Sequence, residues 1–146
     1  MASGISLRIP ATLESLGLVQ DFVGEQGARL GLGDDLSSRL ELVVEELVVN
    51  IGSYAYPQGG GDMEVDCVLN HDGGAPRFCL ILRDWGAAFD PLAKEAPDLD
   101  ASLDEREPGG LGIFLVRELA DECSYLRHDD MNEFRACFAL PKDAPT

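Results

Sequence analysis

Hydrophobic positions recur along the chain in two rhythms, and the changes between them mark out the elements. Ile5, Leu7 and Ile9 alternate with Ser6 and Arg8, the period of a short strand, which Pro10 stops. Thr12 is then placed to cap a helix with Leu16, Val19, Phe22, Val23 and Leu30 on one side. Gly31 and Gly33 break that helix, and Asp34 or Asp35 caps a longer one. In it Leu36, Leu40, Val43, Leu47 and Ile51 recur at spacings of three and four, an apolar stripe that must face a core. Residues 57–61 (PQGGG) read as a loop.

Beyond that loop the period drops to two. Met63, Val65, Cys67 and Leu69 alternate with Glu64, Asp66 and Val68, a half-buried strand, and NHDGG at 70–74 turns the chain into a more apolar strand from Phe78 to Leu82. A helix is expected from Ile113 to about Ala120, followed by strands at Cys123–His128 and Glu133–Leu140 joined by the turn Asp129–Asn132. In the last strand Phe134, Ala136, Phe138 and Leu140 alternate cleanly. Strand, two helices, hairpin, helix and hairpin make an α+β pattern: a mixed, mostly antiparallel sheet covered by helices on one face.

Composition narrows what such a domain can do. The 146 residues suit one domain, 1–146, with a sizeable core, and 45% apolar content suits a globular chain. There is no run of eighteen apolar residues, and the N-terminal stretch lacks a basic segment and an apolar signal core, so a soluble, cytoplasmic protein is expected. A formal net charge of −16 argues against nucleic-acid backbone or an anionic membrane as partner. Any phosphate bound here needs local cationic groups, backbone N–H or a metal ion. Of the four cysteines, Cys67, Cys79 and Cys137 fall within apolar alternation and read as small core residues in a reducing compartment. His71 and His128 fall in turns and read as surface residues.

Three segments carry candidate chemistry. Glu46 and Asn50 are four apart on the long helix, one above the other beside the apolar stripe. An acid and an amide there are either a solvated flank, with Asn50 capping a neighbour, or a site. Asp84 ends a strand in RDWGAAFDP, where a ligand can approach the backbone, although a lone D-x-G often marks only a turn. Gly109, Gly110 and Gly112 open a helix, where close backbone approach, free N–H groups and the helix dipole favour an anion. Between Pro91 and Pro108 lies an acidic, proline-punctuated stretch that reads as an irregular solvent-facing cover.

E-x-x-x-N on a helix, D-x-G after a strand and G-G-x-G at a helix start, in that order, resemble the ATP-binding domains of the gyrase, Hsp90, histidine-kinase and MutL superfamily. The chain is most similar to the small serine/threonine kinases that act as anti-sigma factors, the RsbW and SpoIIAB-like proteins. EELVVNIGSYAY, DWGAAFDP and GGLGIFLVRELAD carry the likeness, which runs over nearly the whole chain. There is no G-x-x-x-x-G-K-[ST], so the nucleotide would not be held in the P-loop manner.

The resemblance implies a Bergerat-type ATP-binding fold, a two-layer sandwich, with ATP and Mg²⁺ as cofactors. It implies that Asn50 is the metal-binding amide and Glu46 the general base. Asp84 would accept a hydrogen bond from the adenine amine, with Gly86 leaving space for the ring. Gly109, Gly110, Leu111 and Gly112 would lie at the phosphates, and Arg106 is a candidate charge on the terminal phosphoryl group. The implied partners are an antagonist of the anti-anti-sigma (STAS-like) type, a sigma factor, or both, and family members often pair as homodimers. The alternatives are a catalytically silent ATP-binding module that sequesters a partner, and a histidine-kinase catalytic domain without its phosphoacceptor helices. Three positions depart from the pattern: Ala88 replaces a second glycine, Tyr54 stands where a histidine is common, and Trp85 adjoins the adenine contact, where it reads as core rather than a stacking plate.

Overall fold

A computed structural model of the chain describes residues 2–71, 75–93 and 110–140. Strand β1 (Ala2–Pro10) leads through a single 3₁₀ turn at Leu13–Ser15 into helices α1 (Leu16–Arg29) and α2 (Asp34–Tyr54). The hairpin β2 (Asp62–Asn70) and β3 (Arg77–Asp84) follows, then α3 (Gly110–Leu119) and a second hairpin, β4 (Glu122–His128) and β5 (Met131–Ala139).

The five strands form one sheet in the order β1-β2-β3-β5-β4. All four pairings are antiparallel, so the mostly antiparallel sheet expected from the sequence has no parallel pair among the described strands. The alternating residues Met63, Val65, Cys67 and Leu69 of β2, Phe78, Leu80 and Leu82 of β3, and Phe134, Ala136 and Phe138 of β5 share one core. Leu36, Leu40, Val43, Val44, Leu47 and Val48 of α2, Val19 and Val23 of α1, and Ile113 and Val116 of α3 pack into it. Arg39 ties two helices together: its guanidinium donates to the Leu119 carbonyl at the C-terminal end of α3, where a cation is favoured.

Element ends differ from the sequence reading for local reasons. Thr12 has the extended backbone of a cap, but the turn it opens is 3₁₀, and the α-helix proper begins four residues later. Gly31 ends α1 at φ 72°, a left-handed conformation that glycine adopts at no steric cost. Gly33, rather than Asp34 or Asp35, is the N-cap of α2, and the two aspartates lie in the first turn, where negative charge suits the dipole. The third helix begins at Gly110, so Gly110 and Gly112 lie inside its first turn rather than ahead of it.

The cysteines require a correction. Cys79 and Cys137 are buried as expected, but they are not free thiols. They stand directly opposite each other in the β3–β5 register with 4.1 Å between Cα atoms, and a disulfide joins them. Alternation identifies buried positions but says nothing of which residue lies across the ladder. Cys67 and Cys123 are free.

Candidate functional site

The C-terminal half of α2 and the adjoining ends of β3 and β5 enclose a narrow cleft. Its cavity volume is about 30 Å³, room for little more than water, so a larger ligand would have to widen it. Asn50, Tyr54 and Ala55 come from α2 and the residue after it, Asp84 from the end of β3, and Asn132 and Phe134 from β5. Phe89, from the loop after β3, stacks its ring on Tyr54 with 5.0 Å between centroids.

Asn50 and Asp84, 34 positions apart in sequence, thus wall the same cavity. Asn50 is only 8% exposed, yet its carboxamide makes no hydrogen bond among the described residues. The reading in which it caps a neighbour is therefore set aside. The polar end of Asn50, on the wall of the cleft, is available to a ligand or cation there. Its oxygen suits a hard cation that keeps waters and phosphate oxygens as its other ligands. No cluster of three His, Cys, Asp or Glu side chains with metal-binding geometry occurs among the described residues, so such a cation would take only a minor part of its shell from them.

Asp84 is 6% exposed and its Oδ1 is held twice, by the Gly86 N–H (2.9 Å) and by Asn132 Nδ2 (2.9 Å). Gly86 is forced by packing: a β-carbon there would collide with the Ala55 carbonyl at the end of α2. The next residue bonds to that same carbonyl, Ala87 N–H to Ala55 O at 2.8 Å. Further bonds fix the turn. Trp85 N–H donates to the Tyr56 hydroxyl (2.8 Å), Arg127 Nη1 to the Gly86 carbonyl (2.9 Å) and Asn132 Nδ2 to the Ala87 carbonyl (2.9 Å). The loop in which Ala88 stands for a glycine is thus held by polar bonds from α2, β4 and β5. Burial pushes the Tyr56 phenol above its ordinary value of 10.0, which keeps it a hydroxyl able to accept from Trp85 and donate to the Asp62 carbonyl. Trp85 is half-buried rather than core, with the Arg8 guanidinium 4.4 Å over its ring.

Glu46 stands one turn before Asn50 on α2 and is half-buried. It does not wall the cleft but lies against α3: a β-carbon on Gly112 would overlap its Oε2. Burial, with Glu45 adding like charge, raises its carboxyl above the ordinary 4.5. Gly110, Leu111 and Gly112 form the first turn of α3, with its unpaired N–H groups. Gly109 and Arg106 lie outside the described residues.

The sequence reading missed Asn132 and Tyr125, which also lines the cleft. The sequence pattern puts Asn132 at the end of a turn. It is in fact the inward position that continues the Phe134, Ala136, Phe138 alternation by one step, and a polar residue on a core face is a signal for a site.

The match to known families agrees with this geometry. Residues 9–138 match the family described as the histidine kinase-like ATPase domain. Among individual relatives, the chain is 34% identical to the serine/threonine-protein kinase BtrW of Bordetella bronchiseptica, over 70% of this chain and 73% of the relative. It is 31% identical to the serine-protein kinase RsbW of Halalkalibacterium halodurans, over 81% and 72%. It is 28% identical to RsbW of Staphylococcus aureus, over 81% and 76%. The chain belongs to the histidine kinase-like ATPase family, among the relatives of the RsbW and BtrW kinases.

Proposed function

We propose that this chain is an ATP-dependent serine/threonine protein kinase of the anti-sigma type, acting on a small antagonist protein and binding a sigma factor when that antagonist is absent. The observation that carries the reading is the cleft shared by Asn50 and Asp84, where among the described residues the Asn50 carboxamide and one Asp84 carboxylate oxygen take no hydrogen bond. The names of the relatives, all serine or serine/threonine kinases, support the reaction class.

Asp84 would take a hydrogen bond from the amine of adenine, with the Gly86 turn leaving the ring its space. Asn50 would hold Mg²⁺ through its oxygen. Bound there, it would supply charge neutralisation for phosphoryl transfer. Backbone N–H groups in the first turn of α3, at Gly110, Leu111 and Gly112, would face the phosphates. Glu46 would take the proton from the partner's attacking serine or threonine hydroxyl, a task for which a carboxyl raised above its ordinary value is suited. Phosphoryl transfer depends chiefly on positioning and charge, so this short list suffices. No helix among the described residues is long and apolar enough to cross a membrane, which fits work in the cytoplasm beside transcription regulators.

The test is incubation of the protein with γ-labelled ATP, Mg²⁺ and an antagonist of the STAS-like class. Label on a serine or threonine of the antagonist is expected, and Glu46→Gln should slow its appearance by roughly 10²–10⁴-fold with ATP still bound. ATP uptake with no transfer to any antagonist would instead identify a module that acts by sequestration.

A further inference from the structure

We propose that Asn132 is the positioning residue that sets base selectivity, by holding Asp84 as a one-sided acceptor. The inference rests on the reading that Asp84 meets the base.

Asn132 lies directly across the ladder from Asp84, where β3 ends and β5 begins, and is 5% exposed. Three of its four hydrogen-bonding valences have partners among the described residues. Nδ2 gives one hydrogen to Asp84 Oδ1 and the other to the Ala87 carbonyl, each at 2.9 Å, while Oδ1 accepts from the Tyr125 hydroxyl. A flipped amide would set its oxygen against a carboxylate and a carbonyl, two acceptor–acceptor contacts in a buried site. Only one orientation is therefore compatible with the surroundings.

The consequence falls on Asp84. With the Gly86 N–H also on it, Oδ1 is fully occupied by donors that belong to the protein. Oδ2 takes no hydrogen bond among the described residues, and Asp84 walls the cleft. The cleft therefore sees one carboxylate oxygen at a fixed angle, able only to accept. A 6-aminopurine brings an N–H to that oxygen. A 6-oxopurine brings a carbonyl, and acceptor meets acceptor. Without Asn132 only the Gly86 N–H holds Oδ1, so the free oxygen is no longer fixed in angle and meets the 6-amino N–H less well, while a 6-oxo group, which gains nothing from that oxygen, loses nothing.

Selectivity and affinity separate this role from a merely structural one. Binding of Mg·ATP and Mg·ITP, which differ at the purine 6-position in this respect, would be measured by calorimetry on the wild type, Asn132→Leu and Tyr125→Phe. The wild type is expected to prefer ATP by roughly tenfold or more, the scale of one charge-assisted hydrogen bond. Asn132→Leu should shrink that ratio by about the same factor, through lost ATP affinity that ITP does not share. Tyr125→Phe removes one oxygen, keeps the ring packing and leaves Asn132 unlatched, so it should shrink the ratio by a smaller factor even if Asn132→Leu fails to fold. Parallel losses for both nucleotides, with the ratio unchanged in Tyr125→Phe or in a folded Asn132→Leu, would overturn the proposal. A wild type that binds ATP and ITP equally, or neither, would instead remove the underlying assignment of Asp84.

Discussion

Gly112 lies so close to Glu46 that a β-carbon at 112 would overlap the glutamate's Oε2. The first turn of α3 thus meets the acid of α2 at a point where only hydrogen fits between them. Gly86 stands in an equally tight place, but against the backbone carbonyl of Ala55. The difference between a mobile carboxylate and a fixed carbonyl separates what the two glycines do.

Gly112→Ala should keep the fold, because alanine within a helix is favoured over glycine by up to ~1 kcal/mol. Glu46 must move aside, and a displacement on the order of 1 Å costs roughly 10²-fold in rate. Gly86→Ala has no such escape and should lower stability by about 1–3 kcal/mol as the Asp84 turn is pushed off α2. Thermal melts and phosphotransfer assays on both variants check the contrast, and a Gly112→Ala enzyme of wild-type rate would remove Glu46 from the site.

The pH dependence follows from Glu46. Its carboxyl is raised by burial first and by Glu45 second, so the base form is lost at a higher pH than for an ordinary glutamate. The transfer rate should therefore fall as pH drops through that raised value, before it reaches the ordinary 4.5. The stability sign is the opposite. The folded state holds this proton more tightly than the unfolded state, so the contribution is full below 4.5 and is lost as pH rises through the raised value. Glu46→Gln, neutral throughout, should lower the rate by roughly 10²–10⁴-fold while leaving stability at neutral pH equal or higher. Rate and melting temperature recorded across pH 4 to 8, the range spanning the ordinary and raised carboxyl values, check both signs.

Thiol counting tests the sheet. Denatured but unreduced protein should expose two thiols, Cys67 and Cys123, and reduction should add two more from Cys79 and Cys137. In the native state Cys67 should stay silent at neutral pH, because burial pushes its thiol up to about 12. Closing a loop of 58 residues corresponds to about 4 kcal/mol in the chain-entropy account, so reductant should lower the melting temperature visibly. Four thiols before reduction would show that the bond does not form.

Much of this was legible in the residues. The spacing of Leu36, Leu40, Val43 and Leu47 placed α2 and its buried face, and the alternation of Met63, Val65, Cys67 and Leu69 placed β2. Glu46, Asn50 and Asp84 were identified because polar groups stood where the pattern or the strand end made them costly or exposed to a ligand. What escaped was information that exists only across the sheet. The Cys79–Cys137 bond and the Asn132–Asp84 bond both depend on β3–β5 register, which no spacing within one strand encodes. The Gly86 requirement was visible as a glycine, but its cause, the Ala55 carbonyl, belongs to the far end of another helix.

Nucleotide binding by calorimetry, with and without Mg²⁺, bears most directly on whether α2, β3 and α3 meet at one ATP site. One ATP per chain is expected. Asp84→Asn should weaken it by roughly tenfold or more whether or not Mg²⁺ is present, while Asn50→Ala should weaken it only when Mg²⁺ is there. Wild-type protein that takes up no nucleotide, or an Asn50→Ala loss that persists unchanged in chelator, would contradict the account.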